Sequence, residues 1–479
     1  MKRFWLVLLS LGLIAAFSTQ ALAVDVKFSG EYFAAGMYLD RVGVNETTYG
    51  DPADPDGLNA DTHTAFYYQR LRLTTTFIVH PGLYFITRAD VMERAWAAAR
   101  FNPNGGVGAL DDRSAGTRAE NENIAFDLAY VQYVSPIGIF LAGYQIDNAW
   151  GTTFGDTSQP TPKIGYMLPI PGVKGLLLGL QTGKNPDGER SWGTWNGAVT
   201  NGAEDRDNNF YTAFVRYSTK GLETGILFKY IRNATNRDVY VGLGPVTEGG
   251  VKAQTLTITP YAKAQIGPVA VEGQIYYTTG RIKREGQAWM LGGAANNGIS
   301  ERVDSWTTYL SATADFGIAY AGGTFAWLSG NKQETQDKNE GLGTGGFDWN
   351  PCLIMFNSER NYWAGPIQGY DNKAMGAPMS NAFFAQLRAG VKPIDKLDIM
   401  ASLSWAKMHI SDARSLGVQS GRDYGWEIDV TGTYKITNNL SYMLGGGYWI
   451  VGKYYEGSGE PGYKVKNDFL VINKLTLTF

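Results

Sequence analysis

The sequence holds one cysteine, Cys352, and three histidines, His63, His80 and His409, in 479 residues. A single cysteine excludes an internal disulfide and any cysteine-rich metal site. There is no C-x-x-C-H, so no c-type haem is attached, and electron transfer would need a partner. His80 falls in a short turn and His63 in a long connection, so they cannot meet in one catalytic site, where a barrel enzyme would need a histidine beside a serine or aspartate nucleophile system. The chain therefore reads as a non-enzyme without cofactor or metal. Charged residues make up 18 %, below the roughly 25 % of soluble proteins. The net charge of −3 and the absence of basic clusters exclude a nucleic-acid partner. Beyond the first 23 residues no apolar run reaches the ~18 residues of a membrane-spanning helix.

The N-terminus is the exception to this polarity. Lys2 and Arg3 precede the apolar run from Phe4 to Phe17, and Ala21-Leu22-Ala23 supplies a small-x-small cleavage site. This layout predicts a cleaved signal peptide over 1–23, with the mature chain starting at Val24. No cysteine follows the cleavage site, so a lipoprotein is not expected. The choice is then between a soluble exported β-protein and a membrane barrel.

Glycine (60 residues) and tyrosine (28) are abundant, a composition suited to strands and tight turns. Runs with a period of two recur along the chain. In "YYQRLRLTTTFIV", Tyr67, Leu71, Leu73, Phe77 and Val79 alternate with Tyr68, Arg70, Arg72, Thr74 and Thr76. "WEIDVTGTYKI" sets Trp426, Ile428, Val430 and Tyr434 against Glu427, Asp429, Thr431 and Thr433. Such runs last about 10–14 residues, whereas ordinary strands average 5–6 and a tilted bilayer-crossing strand needs about 9–11.

The connections between the runs alternate short and long. Short ones lie at 80–82, 135–138, 171–175, 219–221, 266–268, 315–317, 392–395 and 437–439. Long ones cover roughly 40–64, 97–123, 148–160, 185–207, 234–251, 284–302, 331–380, 410–423 and 456–464. Short periplasmic turns and long extracellular loops are the asymmetry of outer-membrane barrels. The count predicts an all-β, antiparallel transmembrane barrel of about 18 strands (16 possible), one domain over 24–479. The chain ends in mid-strand at "VINKLTLTF", which predicts that 471–479 pairs with 26–39 to close the barrel.

A barrel this wide leaves an aqueous lumen, so inward charges matter. Alternation puts Arg70 and Arg72 inward on the second strand, and Arg88, Asp90 and Arg94 inward on the third. Later strands add Arg216, Lys229, Lys263, Glu272 and Arg388. Adjacent strands bring Arg70, Arg72 and Arg88 to similar height as a candidate constriction. Tyr38, Trp96, Trp150, Trp306, Trp405, Tyr448, Trp449 and Tyr454 lie near strand ends and read as interfacial girdles. The apolar run Cys352–Phe356 in the seventh long loop reads as packing against neighbouring loops or the barrel rim.

The hairpin "AYVQYVSPIGIFLAGYQID" (129–147) followed by "TTFGDT" (152–157) resembles the general Gram-negative porins. More loosely, the chain is similar to porins of metal-reducing bacteria. The resemblance implies an inward-folded loop, here 148–160, whose Asp156 and Asp147 face Arg70, Arg72 and Arg88 across the pore. It also implies a homotrimer, and a role for Phe479 as the aromatic signal read by the outer-membrane assembly machinery. The chain departs from the family in its strand count, its long seventh loop and the low acidic content of loop 148–160. The expected function is a passive, water-filled channel for small hydrophilic solutes and ions, set in outer-membrane lipid. The alternatives are a substrate-specific channel for sugars, carboxylates or aromatics, and a docking barrel for surface electron-transfer or adhesion proteins.

Overall fold

Long strands joined by tight turns leave no backbone edge unpaired only if the sheet closes on itself. In the computed structural model it does. The structure describes residues 24–44, 63–96, 124–185, 208–236, 250–285, 290–291, 294–295, 300–332, 334–335, 337–371, 373–411, 421–458 and 464–479. The first nine barrel strands are β1 (Asp25–Leu39), β2 (Thr64–His80), β3 (Leu83–Ala95), β4 (Ile124–Ser135), β5 (Gly138–Asp147), β6 (Gln159–Pro169), β7 (Leu176–Asn185), β8 (Asn208–Thr219) and β9 (Leu222–Asn236). The second nine are β10 (Gly250–Ile266), β11 (Val269–Glu285), β12 (Ser300–Asp315), β13 (Ala319–Leu328), β14 (Ala382–Ile394), β15 (Leu397–Met408), β16 (Asp423–Lys435), β17 (Leu440–Val451) and β18 (Asp468–Thr478).

Each strand pairs antiparallel with its sequence neighbours, and β18 pairs with β1 from Glu31↔Thr478 to Leu39↔Leu470. Phe479 extends the closure, exchanging two backbone hydrogen bonds with Gly30 at 2.8 and 3.0 Å. Short connections follow every even strand up to β16, and long ones follow the odd strands. Gly82 (φ 86°) and Gly221 (φ 80°) take the left-handed conformation that two of the tight turns require.

The pleat sorts each strand into two faces. On β16, Trp426 and Val430 are 44 % and 50 % exposed outside, while Glu427 and Asp429 between them are 0 % and 3 % exposed inside. Leu387, Leu403, Leu444 and Val471 continue the outer apolar surface around neighbouring strands. A barrel that is apolar outside and polar inside inverts the order of a water-soluble fold and matches a lipid surround. Among the described residues no helix is long and apolar enough to cross a membrane, which says nothing against crossing by strands.

Among the described residues, two long segments between strands turn into the barrel. One is 148–158, containing a single 3₁₀ turn at Thr153–Gly155. The other, 329–381, forms a plug with one short helix, α1 (Ser358–Ala364), capped by the Asn357 side chain on the Arg360 N–H. Cys352, Ile354, Met355 and Phe356 are buried against Phe33, Met37, Leu39, Tyr68, Phe384 and Trp449. The run Cys352–Phe356 therefore lies deep in the lumen, not on the rim. The reason is on the wall: Phe33, Ala35, Met37, Leu39, Leu470 and Ile472 give β18 and β1 an apolar inner patch. Burying each large apolar side chain there contributes about 1.5–3 kcal/mol.

Three of the aromatic girdle assignments are corrected. Trp449 sits between outward-facing Tyr448 and Ile450, so it faces the lumen, fully buried, and donates its indole N–H to the Tyr424 carbonyl at 3.1 Å. Tyr454 packs on Tyr424 and Tyr455, and Trp150 belongs to the inward loop.

Candidate functional site

The arginine wall is built by β1–β4. Arg72 grips Asp90 through two parallel bonds, Nε to Oδ1 at 2.7 Å and Nη2 to Oδ2 at 2.6 Å. Arg88 grips Asp127 through contacts of 2.5–3.0 Å, and Arg72 also approaches Asp127 at 3.9 Å. Arg70 pairs with Glu93 at 3.5 Å and Glu31 at 3.8 Å, over the ring of Phe33. The three arginines do share one wall. Their carboxylate partners come from that same wall and not from the inward loop.

Alternation finds Asp90, and two bulges explain why it misses Asp127 and Glu93. The β3–β4 register jumps between Arg88↔Leu128 and Ala89↔Phe126, which inserts Asp127 and lets it meet Arg88. On β3, Met92 has a φ of 52°, and the register jumps from Leu71↔Val91 to Gln69↔Arg94. That shift lets Glu93 face Arg70. Arg94 stands opposite Gln69, on the parity of the outward residues, and not inward as period two alone implies.

The inward loop 148–158 lies against the opposite wall. Trp150 donates its indole N–H to the Thr259 carbonyl at 3.0 Å, next to Pro260, where the β10–β11 register skips two residues. The Gln274 Oε1 accepts from the Thr152 N–H at 2.7 Å and its hydroxyl at 2.6 Å. Gly155 must be glycine here, because a Cβ would stand 1.4 Å from the Tyr276 hydroxyl oxygen. Phe154 packs between Tyr309 and Trp349 of the plug, and its carbonyl accepts the Gly346 N–H at 2.6 Å. Loop and plug thus meet in mid-lumen.

Asp147, at the end of β5, pairs with Lys163 of β6 at 3.1 Å and with Lys229 of β9. Lys163 also donates to the Ile146 carbonyl and to Gln181, and Lys229 to Asn148. Asp156 is held between the loop and the plug. Its carbonyl accepts the Asp348 N–H at 2.9 Å, and its carboxyl Oδ1 is buried without a hydrogen-bond partner. Burial, reinforced by Asp348, pushes the Asp156 carboxyl above the usual carboxylate range. Neither aspartate faces the arginine wall.

Between the loop and strands β6–β12 lies a cavity of about 420 Å³, lined in part by Asp147, Lys163, Arg216 and Lys229. Its wall includes a row of direct register partners, Gln181, Thr212, Lys229, Thr257 and Thr278. Toward the short turns, a second cavity of about 430 Å³ is lined by Glu223, Lys263, Glu272, Ser311, Thr313 and Arg388. Hydroxyls, amides and charges on these walls suit hydrated solutes and repel apolar ones, which would have to displace ordered water. Phe479 lies far from this chemistry, its ring outside the barrel over Gly30, where a Cβ would stand 2.8 Å from it. The export segment 1–23 lies outside the described residues.

No family model and no curated protein sequence matches the chain. Solved structures do. The anion-selective porin from Comamonas acidovorans is 12 % identical, over 95 % of this chain and all of that one, with a TM-score of 0.39. The outer-membrane channel DcaP of Acinetobacter baumannii is 11 % identical over 97 % and 99 %, TM-score 0.41. The outer-membrane protein opdK from Pseudomonas aeruginosa is 11 % identical over 95 % and 99 %, TM-score 0.45. The chain resembles outer-membrane porins in architecture, and its closure at eighteen strands rests on its own register.

Proposed function

We propose that the chain is an outer-membrane channel through which small hydrophilic solutes and ions diffuse passively. The observation that carries this reading is the inverted barrel, apolar outside, with charged and hydroxyl-lined cavities inside. The passage runs beside the loop 148–158, along β6–β12, because the plug occupies the side of β18, β1 and β2. Three cations and one carboxylate line the cavity beside the loop, which supports a preference for small anions. Residues 1–23 direct export, Phe479 is read during assembly, and the barrel works as a homotrimer in outer-membrane lipid. Single-channel conductance in a planar bilayer tests the channel: steps linear in salt with an anion-side reversal potential support it.

A second reading is a docking barrel for surface proteins. It draws on the plug 329–381, whose apolar run fills one side of the lumen. A well-folded barrel with no conductance at any voltage would favour it over the channel.

A further inference from the structure

Glu427 and Asp429 share the inner face of β16, next to Cys352 of the plug. The Cys352 sulfur and one oxygen of each carboxylate lie within 4.8 Å of one another, and all three side chains are buried. Glu427 accepts the Ile354 N–H at 2.6 Å and the Met355 N–H at 2.7 Å, and the Ser402 hydroxyl donates to Asp429 Oδ2 at 3.3 Å. Among the described residues neither carboxylate forms an ion pair with a lysine or arginine. Asp429 Oδ1 is buried without a hydrogen-bond partner, in a side chain only 3 % exposed. Gly447, its register partner, lets the carboxylates come close to the strand: a Cβ would stand 2.7 Å from that oxygen and 3.4 Å from Glu427 Oε1.

Two carboxylates in one dry site do not both stay ionised without a cation. The choice is between a shared proton and a metal ion, and the sulfur favours the metal. One thiolate and two carboxylates suit a borderline-soft divalent ion; calcium and magnesium prefer an all-oxygen shell. Zinc sits about 2.3 Å from sulfur and 2.0–2.2 Å from carboxylate oxygen, which places tetrahedral donors about 3.3–3.7 Å apart, so three donors within 4.8 Å of one another close on the ion by side-chain rotation of about 1 Å. A cavity of about 210 Å³ lined by Cys352, Ser402 and Asp429 supplies room for a water as fourth ligand. We propose that Cys352, Glu427 and Asp429 bind one divalent transition-metal ion of the zinc type, which fastens the plug to β16. Binding converts the thiol to the thiolate and releases its proton to solvent. The site stands independently of the channel reading.

The test uses the full mature chain, folded in detergent, stripped with chelator and titrated with Co²⁺ and then Zn²⁺. The expected result is one Co²⁺ per chain with a thiolate charge-transfer band in the near ultraviolet, bleached by one equivalent of Zn²⁺. Cys352→Ser should lose the band while keeping the strand signal in circular dichroism, and Asp429→Asn should weaken Zn²⁺ binding at least tenfold. A folded wild-type barrel that takes up no stoichiometric metal overturns the proposal and leaves a shared proton between the carboxylates. So does Zn²⁺ affinity that is unchanged in both variants.

Discussion

The ring of Phe154, on the inward loop, stacks on that of Tyr309 of β12 with centroids 4.7 Å apart and planes 7° apart. Trp349 of the plug closes the same contact edge-on at 4.8 Å. One buried aromatic thus joins loop, plug and wall. Phe154→Ala should cost about 3–5 kcal/mol, as for other buried aromatics truncated to alanine. Because the contact also narrows the lumen, the variant should combine a lower unfolding temperature with a larger single-channel conductance. A stability loss with unchanged conductance would place the passage elsewhere.

Arg72 and Asp90 form a two-bond pair on the arginine wall, with Asp127 3.9 Å from the same guanidinium. Arg72→Ala leaves Asp90 uncompensated and should move the reversal potential toward cations. Asp90→Ala should move it the other way, and the double variant should return near wild type. Their coupling free energy in a double-mutant cycle should fall in the range of about 0.5–3 kcal/mol seen for contacting residues. Additive shifts would show that the pair does not act as a unit.

Lys229 offers a sharper test of ion preference. It reaches both Asp147 and Asn148 beside the main cavity, and it is one of three cations there. Lys229→Glu leaves two cations facing two carboxylates, with Asp147 now beside a like charge. The variant should lose most of its preference for chloride over potassium in a salt gradient. Arg388→Ala, in the second cavity toward the short turns, should change it less.

These residues also mark how far the sequence could be read. Strand number, turn positions and the faces of Arg70, Arg72, Lys229 and Arg388 follow from a period of two and the alternation of short and long connections, both of which survive any single local irregularity. Asp90 follows too, as the inward register partner of Arg72, but the partners of Arg88 and Arg70 do not, because a bulge at Asp127 and another at Met92 each move the alternation by one residue. Trp449 was misread because closeness to a strand end says nothing about parity. The fate of Cys352–Phe356 was hidden for a different reason. A continuous apolar run has no period, and what receives it, the inner faces of Phe33, Met37 and Leu470, is assembled from strands hundreds of residues apart.

Burial of Cys352 gives a direct chemical check on the plug. Cys352 is 3 % exposed, and in the metal-free protein burial pushes the pKa of its thiol well up, with Glu427 and Asp429 adding to the effect. Such a thiol is a poor nucleophile. The folded protein should resist a maleimide reagent at neutral pH, and the same sample should label to one equivalent per chain once denatured. Fast labelling in the folded state would mean that the plug leaves the lumen readily.

Asp156 predicts a pH dependence with a definite sign. Its carboxyl is raised by burial first and by Asp348 second, so the folded state holds a proton that the unfolded chain has already released. Stability from this group is fully present below the ordinary carboxylate range and is lost as pH rises through the higher folded value. Asp156→Asn mimics the protonated form and removes this term. The variant should match wild type at low pH, unfold at a higher temperature near pH 7, and show a flatter slope between. Because its Oδ1 has no hydrogen-bond partner to lose, an asparagine that destabilised the barrel at neutral pH would mean that the charge of Asp156 is held by a cation in the lumen. Restoring stability with added salt or a divalent ion would then identify that cation as mobile and not as part of the chain.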